Sequence, residues 1–140
     1  MLKKRSIRAL IILGITLLSM SLQASQKAID DAVQYLQIAQ KDNGLFVYEF
    51  DFLTSTDQPD ENIVRQAGSG FALGQVLSLQ PGHKKVQGVL KKALTAYAGM
   101  TKEKEKGIRM LVDKHGRAPT GTTALALLGA LYYGTVNKVR

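Results

Sequence analysis

Two stretches of this chain are apolar on nearly all sides at helical spacing. The first, from about Glu61 to Leu79, carries Ile63, Val64, Ala67, Phe71, Ala72, Leu73, Val76 and Leu77; the second is Thr122 to Gly134, TTALALLGALYYG. A helix with no polar face has to be covered by others, so the chain must fold around two buried helices. With 140 residues, an apolar fraction of 45% and only 3 prolines, it predicts one α-rich domain. No cysteine is present, which leaves packing rather than disulfides to hold the fold and excludes thiol chemistry and thiolate metal sites. His83 and His115 are too far apart to form a paired zinc motif. No metal or cofactor is therefore expected, although a hard-cation site built from Asp and Glu stays open.

The first residues predict export. Lys3, Lys4, Arg5 and Arg8 form a basic segment, Ala9 to Leu22 an apolar one, and Ser21 to Ser25 a small and polar exit, which together read as a signal peptide over 1–24. The apolar segment covers about 21 Å as a helix, short of a bilayer core of roughly 30 Å. Leu22 fits the third position before the cut less well than Ala or Val, so a tethered form at the inner membrane is the alternative to a periplasmic or extracellular protein. The formal charge of +8 is half signal: without those four cations, 15 basic residues face 11 acidic ones. The remainder favours anionic glycans or surfaces weakly, and without a basic stripe interleaved with aromatics nucleic acid is not expected.

In chain order, Ile29, Ala32, Val33 and Leu36 mark an amphipathic helix over 26–41, stopped by Asp42-Asn43-Gly44. Leu45 to Phe52 reads as a short extended segment, with Tyr48, Phe50 and Phe52 on its packed side and Val47, Glu49 and Asp51 on the other. A polar loop follows, in which Asp60 is the expected N-cap of the first buried helix. Gly68, Gly70 and Gly74 in that helix predict close backbone approach to another helix. After Gln80-Pro81-Gly82, Val86, Val89, Leu90, Ala93, Leu94 and Tyr97 mark an outer helix ended by Gly99. Thr101 to Lys106, TKEKEK, reads as a charged connector, and Asp113-Lys114-His115-Gly116 as a turn leading to the second buried helix.

This order, outer helix, short extended segment, polar loop and Gly-containing buried helix, occurs twice, over 26–80 and 83–134. Aligning Gly74 with Gly129 gives a period of about 55 residues, the size of a helical hairpin. The fold class expected is all-α: repeated α-hairpins with short extended segments between helices. Here the chain resembles the α/α-toroid proteins, the rings of helical hairpins found in terpenoid cyclases, six-hairpin glycosidases and uronyl epimerases. Asn62-Ile63-Val64-Arg65-Gln66-Ala67-Gly68 followed by Phe71-Ala72-Leu73 is similar to a helix start of exported bacterial toroid proteins. A closed ring takes about six such hairpins and this chain has two repeats, which implies a partial toroid, an assembly of several copies or a shorter helical repeat.

In toroid enzymes the site lies where inner-helix N-termini meet their preceding loops. The resemblance therefore implies Tyr48, Glu49, Asp51, Asn62, Arg65 and Gln66 from the first repeat, with His115, Arg117, Thr120 and Thr122 from the second. Glu49 and Asp51 are candidates for an acid and base pair, or are two solvated carboxylates of one strand. Arg65, one turn into an apolar helix, can grip a carboxylate or phosphate with two parallel hydrogen bonds, or form an internal ion pair. His115 can act near neutral pH or sit in an exposed turn. Two functions follow: a carbohydrate-related toroid protein with a polar cleft, or a non-catalytic module that binds an anionic glycan or peptide or assembles with itself. The residues do not decide whether the chain is an enzyme.

Overall fold

A computed structural model of the chain describes residues 23–57 and 62–138. Most of the proposed signal segment, together with Asp60 and Glu61, lies outside these residues. The chain divides into two compact units, Met1–Gln34 and Tyr35–Arg140.

In the first unit residues 23–34 are helical, the beginning of α1 (23–38). Surface pairs one turn apart decorate it: Gln26 donates to Asp30 over 2.9 Å and Lys27 to Asp31 over 2.6 Å. Both partners of the Lys27–Asp31 pair are largely solvent-exposed, so the pair adds little to stability.

In the second unit α1 ends where the Ala39 N–H bonds the Tyr35 carbonyl, and the chain folds back so that Gln40 and Phe46 pair as an antiparallel bridge. Gly44 makes that reversal possible. Its φ is +89°, and a Cβ there would stand 2.6 Å from the Lys92 carbonyl oxygen. The extended segment expected over Leu45 to Phe52 is short: β1 (Phe50–Asp51) pairs with β2 (Thr56–Asp57), and the Asp51 carboxylate takes the Leu53 N–H at 2.8 Å to turn the chain between them. Because the chain turns here, Phe52 does not join a packed face. It is exposed, its ring in an edge-to-face contact with that of Phe50.

Helix α2 (Ile63–Leu79) starts at Asn62, whose side-chain oxygen accepts from Val64 N and Arg65 N, so Asn62 and not Asp60 is the cap. Ile63, Gln66, Ala67, Gly70, Leu73, Gly74 and Leu77 form its buried stripe. Helix α3 (Lys84–Gly99) is capped by His83 and buries Val86, Val89, Leu90, Ala93 and Tyr97, the face its periodicity predicts.

The connector after α3 corrects the all-α expectation. TKEKEK is β3 (Thr101–Glu105), antiparallel to β4 (Ile108–Leu111), with the turn at Gly107, φ +80°. The alternation of Lys and Glu has the period of a strand, and pairing sets Glu103 opposite Arg109, opposite charges at one register position. The fold is helix-rich with two small antiparallel sheets.

Helix α4 (Thr120–Lys138) lies against α2 with the backbones nearly touching. A Cβ on Gly74 would be 3.2 Å from Gly129 Cα, and one on Gly129 would be 3.0 Å from the Gly70 carbonyl oxygen. Gly70 and Gly74 thus have the role predicted for them, while Gly68 has nothing within 4 Å of its missing side chain. Among the described residues no helix is long and apolar enough to cross a membrane.

Candidate functional site

A cleft of about 530 Å³ lies where the N-terminus of α2, the Tyr48 segment and the loop before α4 meet. Asn62, Ile63 and Val64 bring the first turn of α2 to it. A helix N-terminus presents positive potential, and α2 has no acidic residue in its first turn to cancel it.

The opposite wall is built by Asp113. Its Oδ1 accepts from His115 N and Arg117 N, each at 2.9 Å, and its Oδ2 from Arg117 Nε at 2.6 Å. Gly116, at φ +77°, closes the turn by donating to the Asp113 carbonyl over 2.9 Å. Lys104 Nζ, reaching from β3, binds the Gly116 carbonyl at 2.7 Å and ties the loop to the hairpin. Desolvation pulls the Asp113 carboxyl upward, but the hydrogen bonds from the Arg117 backbone and guanidinium and the His115 backbone outweigh it and hold its pKa below the ordinary value. The carboxylate is fully committed to shaping the loop. Its effect is to aim Lys114, His115 and Arg117 at the cleft wall.

Of the residues expected at the site, Tyr48, Asn62, His115 and Arg117 line this cleft together. Arg65 stands beside it, its guanidinium 4.7 Å above the centre of the Tyr48 ring in a cation–π contact. Five others lie elsewhere. Thr120, the first residue of α4, is exposed and outside the lining. Glu49 is exposed and outside the lining, and Asp51 orders the β1–β2 turn, with its pKa lowered by hydrogen bonds from Thr54 and Leu53. Gln66 is 2% exposed, and its side chain grips the backbone of Phe46 from both ends, accepting from Phe46 N at 2.8 Å and donating to Phe46 O at 2.7 Å. Thr122 is fully buried, and its hydroxyl has no hydrogen-bond partner among the described residues.

Asp113, Lys114 and Pro119 complete the lining without having been singled out. The signal for Asp113 was present in the pattern Asp-x-x-Gly-Arg, a side-chain acceptor followed by a left-handed Gly and a guanidinium at i+4. The cleft brings together the start of α2, whose Val64 and Arg65 N–H groups are taken by Asn62, the side chains of Lys114 and His115, the Asp113-paired Arg117 and the Tyr48 ring. The chain matches no protein-family model, no curated protein and no solved structure.

Proposed function

We propose that this protein is an exported, non-catalytic binding module for an anionic ligand, a uronic-acid-bearing glycan in the first instance, held in the cleft between the α2 N-terminus and the Asp113 loop. The observation that carries this reading is the convergence of Lys114, His115 and Arg117 on the start of α2, whose first turn has no acidic residue, with the Tyr48 ring beside them. Aromatic faces suit sugar rings, and guanidinium and ammonium groups suit their carboxylates.

Glu49 and Asp51 support catalysis poorly, since neither lines the cleft and Asp51 is held in a turn. The resemblance to α/α-toroid hairpins fits the order helix, two-stranded sheet, helix, which runs twice along the chain with α2 and α4 packed together. On this reading the two repeats supply one binding cleft from the hairpin lineage without the rest of a ring.

Titration of the full chain with trigalacturonate by calorimetry tests the proposal. Saturable binding is expected, weakening as salt is raised because surface charges are screened within about 8 Å at physiological ionic strength. Lys114→Gln and Tyr48→Ala are each expected to weaken it about tenfold, and Glu49→Gln to leave it unchanged. Absence of saturable binding at low salt, or affinity unaffected by both cleft variants, overturns the reading.

A further inference from the structure

Helix α4 is 19 residues long and its only charged residue is Lys138, at the C-terminal end. One side of it packs on α2 through Gly129. The other leaves Leu127, Leu128 and Leu131 exposed. Leu127 borders a second opening, a groove of about 320 Å³ between α3, α4 and the root of the β3–β4 hairpin.

The groove is polarised along its length. Leu94 and Ala98 of α3 face Ala126, Leu127 and Ala130 of α4 across it, an apolar run of small and branched side chains. At the hairpin end stand Thr101, Thr123 and Arg109, and Arg109 is the one charged residue of the lining. Its Nε donates to Thr101 Oγ1 at 3.1 Å and its Nη2 to the Thr101 carbonyl at 2.9 Å, which fixes the plane of the guanidinium. The facing acid does not neutralise it. Glu103 sits opposite Arg109 in the ladder but accepts the Gly107 N–H at 2.9 Å instead. Among the described residues Nη1 of Arg109 makes no hydrogen bond and keeps two donors for a ligand.

We infer that the groove binds a free, single apolar chain ending in a carboxylate, with the carboxylate on Arg109 and the tail between α3 and α4. Charge complementarity selects this occupant. One oriented cation at one end of an otherwise uncharged groove matches a ligand that is negative at one end and apolar along the rest. A second copy of the chain docking through α4 would bring an uncharged helix face and leave Arg109 unanswered. From Thr123 to Ala130 the helix advances about 10 Å, which sets the length of tail that is covered.

The test is calorimetric titration of the full chain with decanoate below its micelle concentration, with decanol as the uncharged match. Decanoate is expected to bind saturably and more tightly than decanol. Arg109→Gln is expected to weaken decanoate about tenfold and leave decanol unchanged, while Lys102→Gln, a charge removed from the same hairpin outside the groove, changes neither. Ala126→Phe, which fills the groove, is expected to abolish both, with an unchanged helical signal by circular dichroism; should that variant not fold, the Arg109→Gln comparison decides alone. No saturable uptake of decanoate, or equal loss of decanoate from Arg109→Gln and Lys102→Gln, overturns the inference. So does a stable dimer in light scattering that Ala126→Phe separates and decanoate does not, since it assigns the groove to a second copy. Retained trigalacturonate binding in the Arg109→Gln variant keeps failure here distinct from failure of the cleft.

Discussion

Gln66 joins three parts of the structure at one position. Its side chain closes both backbone groups of Phe46, and its carbonyl accepts the buried Tyr97 hydroxyl from α3. Burial raises the Tyr97 pKa, outweighing the lowering by a backbone hydrogen bond from Gly70, so the phenol stays neutral and remains a donor. Gly70 leaves the space the ring needs, since a Cβ there would lie 2.9 Å from Tyr97 Cε2. Gln66→Leu keeps the volume and removes the amide, stranding a buried N–H and C=O at Phe46. The expected cost is roughly 3 kcal/mol, from about 1–3 kcal/mol for each unmet group. Thermal unfolding checks it, and a melting temperature equal to the parent's would mean that the Phe46 backbone finds other partners. From the sequence alone Gln66 reads as a cleft residue, because a polar side chain in an apolar helix suggests an opening. Helical periodicity carries no information about a backbone segment 20 positions away that arrives to meet it. The cap is misplaced from sequence on a different ground: Asn62 bonds N–H groups two and three residues on, yet Asp60 reads equally well as a cap, and local capping chemistry does not choose between two good capping residues two positions apart.

At the scale of elements, the glycines divide into those that set helix spacing and those that do not. Gly129 lies where α4 crosses α2, within backbone contact of Gly70, whereas Gly134, five residues on in the same helix, has nothing near its missing Cβ. Ala is the better helix former by about 1 kcal/mol, so propensity alone would make both replacements stabilising. The packing reverses the sign at Gly129. Gly129→Ala is expected to cost about 1–3 kcal/mol as the two backbones are pushed apart, and Gly134→Ala to gain up to about 1 kcal/mol. Denaturant unfolding of the two variants beside the parent gives both values, and a stabilised Gly129→Ala would show that α2 and α4 can separate freely. The same scale holds the clearest misreading of the sequence. By its charge TKEKEK reads as a connector, although its strict alternation is what a two-sided exposed strand requires. For a hairpin with little apolar surface the period is a stronger signal than composition. The two apolar stretches show the converse: both are helices, but only α2 buries a continuous stripe, while in α4 only Thr122 and Gly129 are buried and Leu127, Leu128 and Leu131 are exposed, so the expectation of a second buried helix fails.

For the molecule as a whole, the order of helices could be inferred because it depends on one-dimensional patterns, periodicity and turn chemistry, whereas the meeting of the α2 start with the loop of His115 and Arg117 is implied only by the toroid resemblance. Which groups face the cleft could not be inferred, because that depends on where Asp51, Gln66 and Asp113 find partners. The charge of the working protein turns on its N-terminus. Cleavage after Ala24 removes four cations and leaves 15 basic residues against 11 acidic ones, and it falls within residues 23–38, which are helical. A processing enzyme needs that bond extended. Residues 23–28 are exposed, so unwinding them uncovers little apolar surface and opposes cleavage only weakly. The intact mass of protein recovered from outside the cytoplasm is therefore expected to correspond to a chain beginning at Ser25. Recovery of the full chain with Met1 in the membrane fraction would instead make Ala9 to Leu22 a tether and retain the extra positive charge beside the bilayer. Two features separate the outcomes in one preparation: the mass, and whether the protein leaves the membrane pellet without detergent.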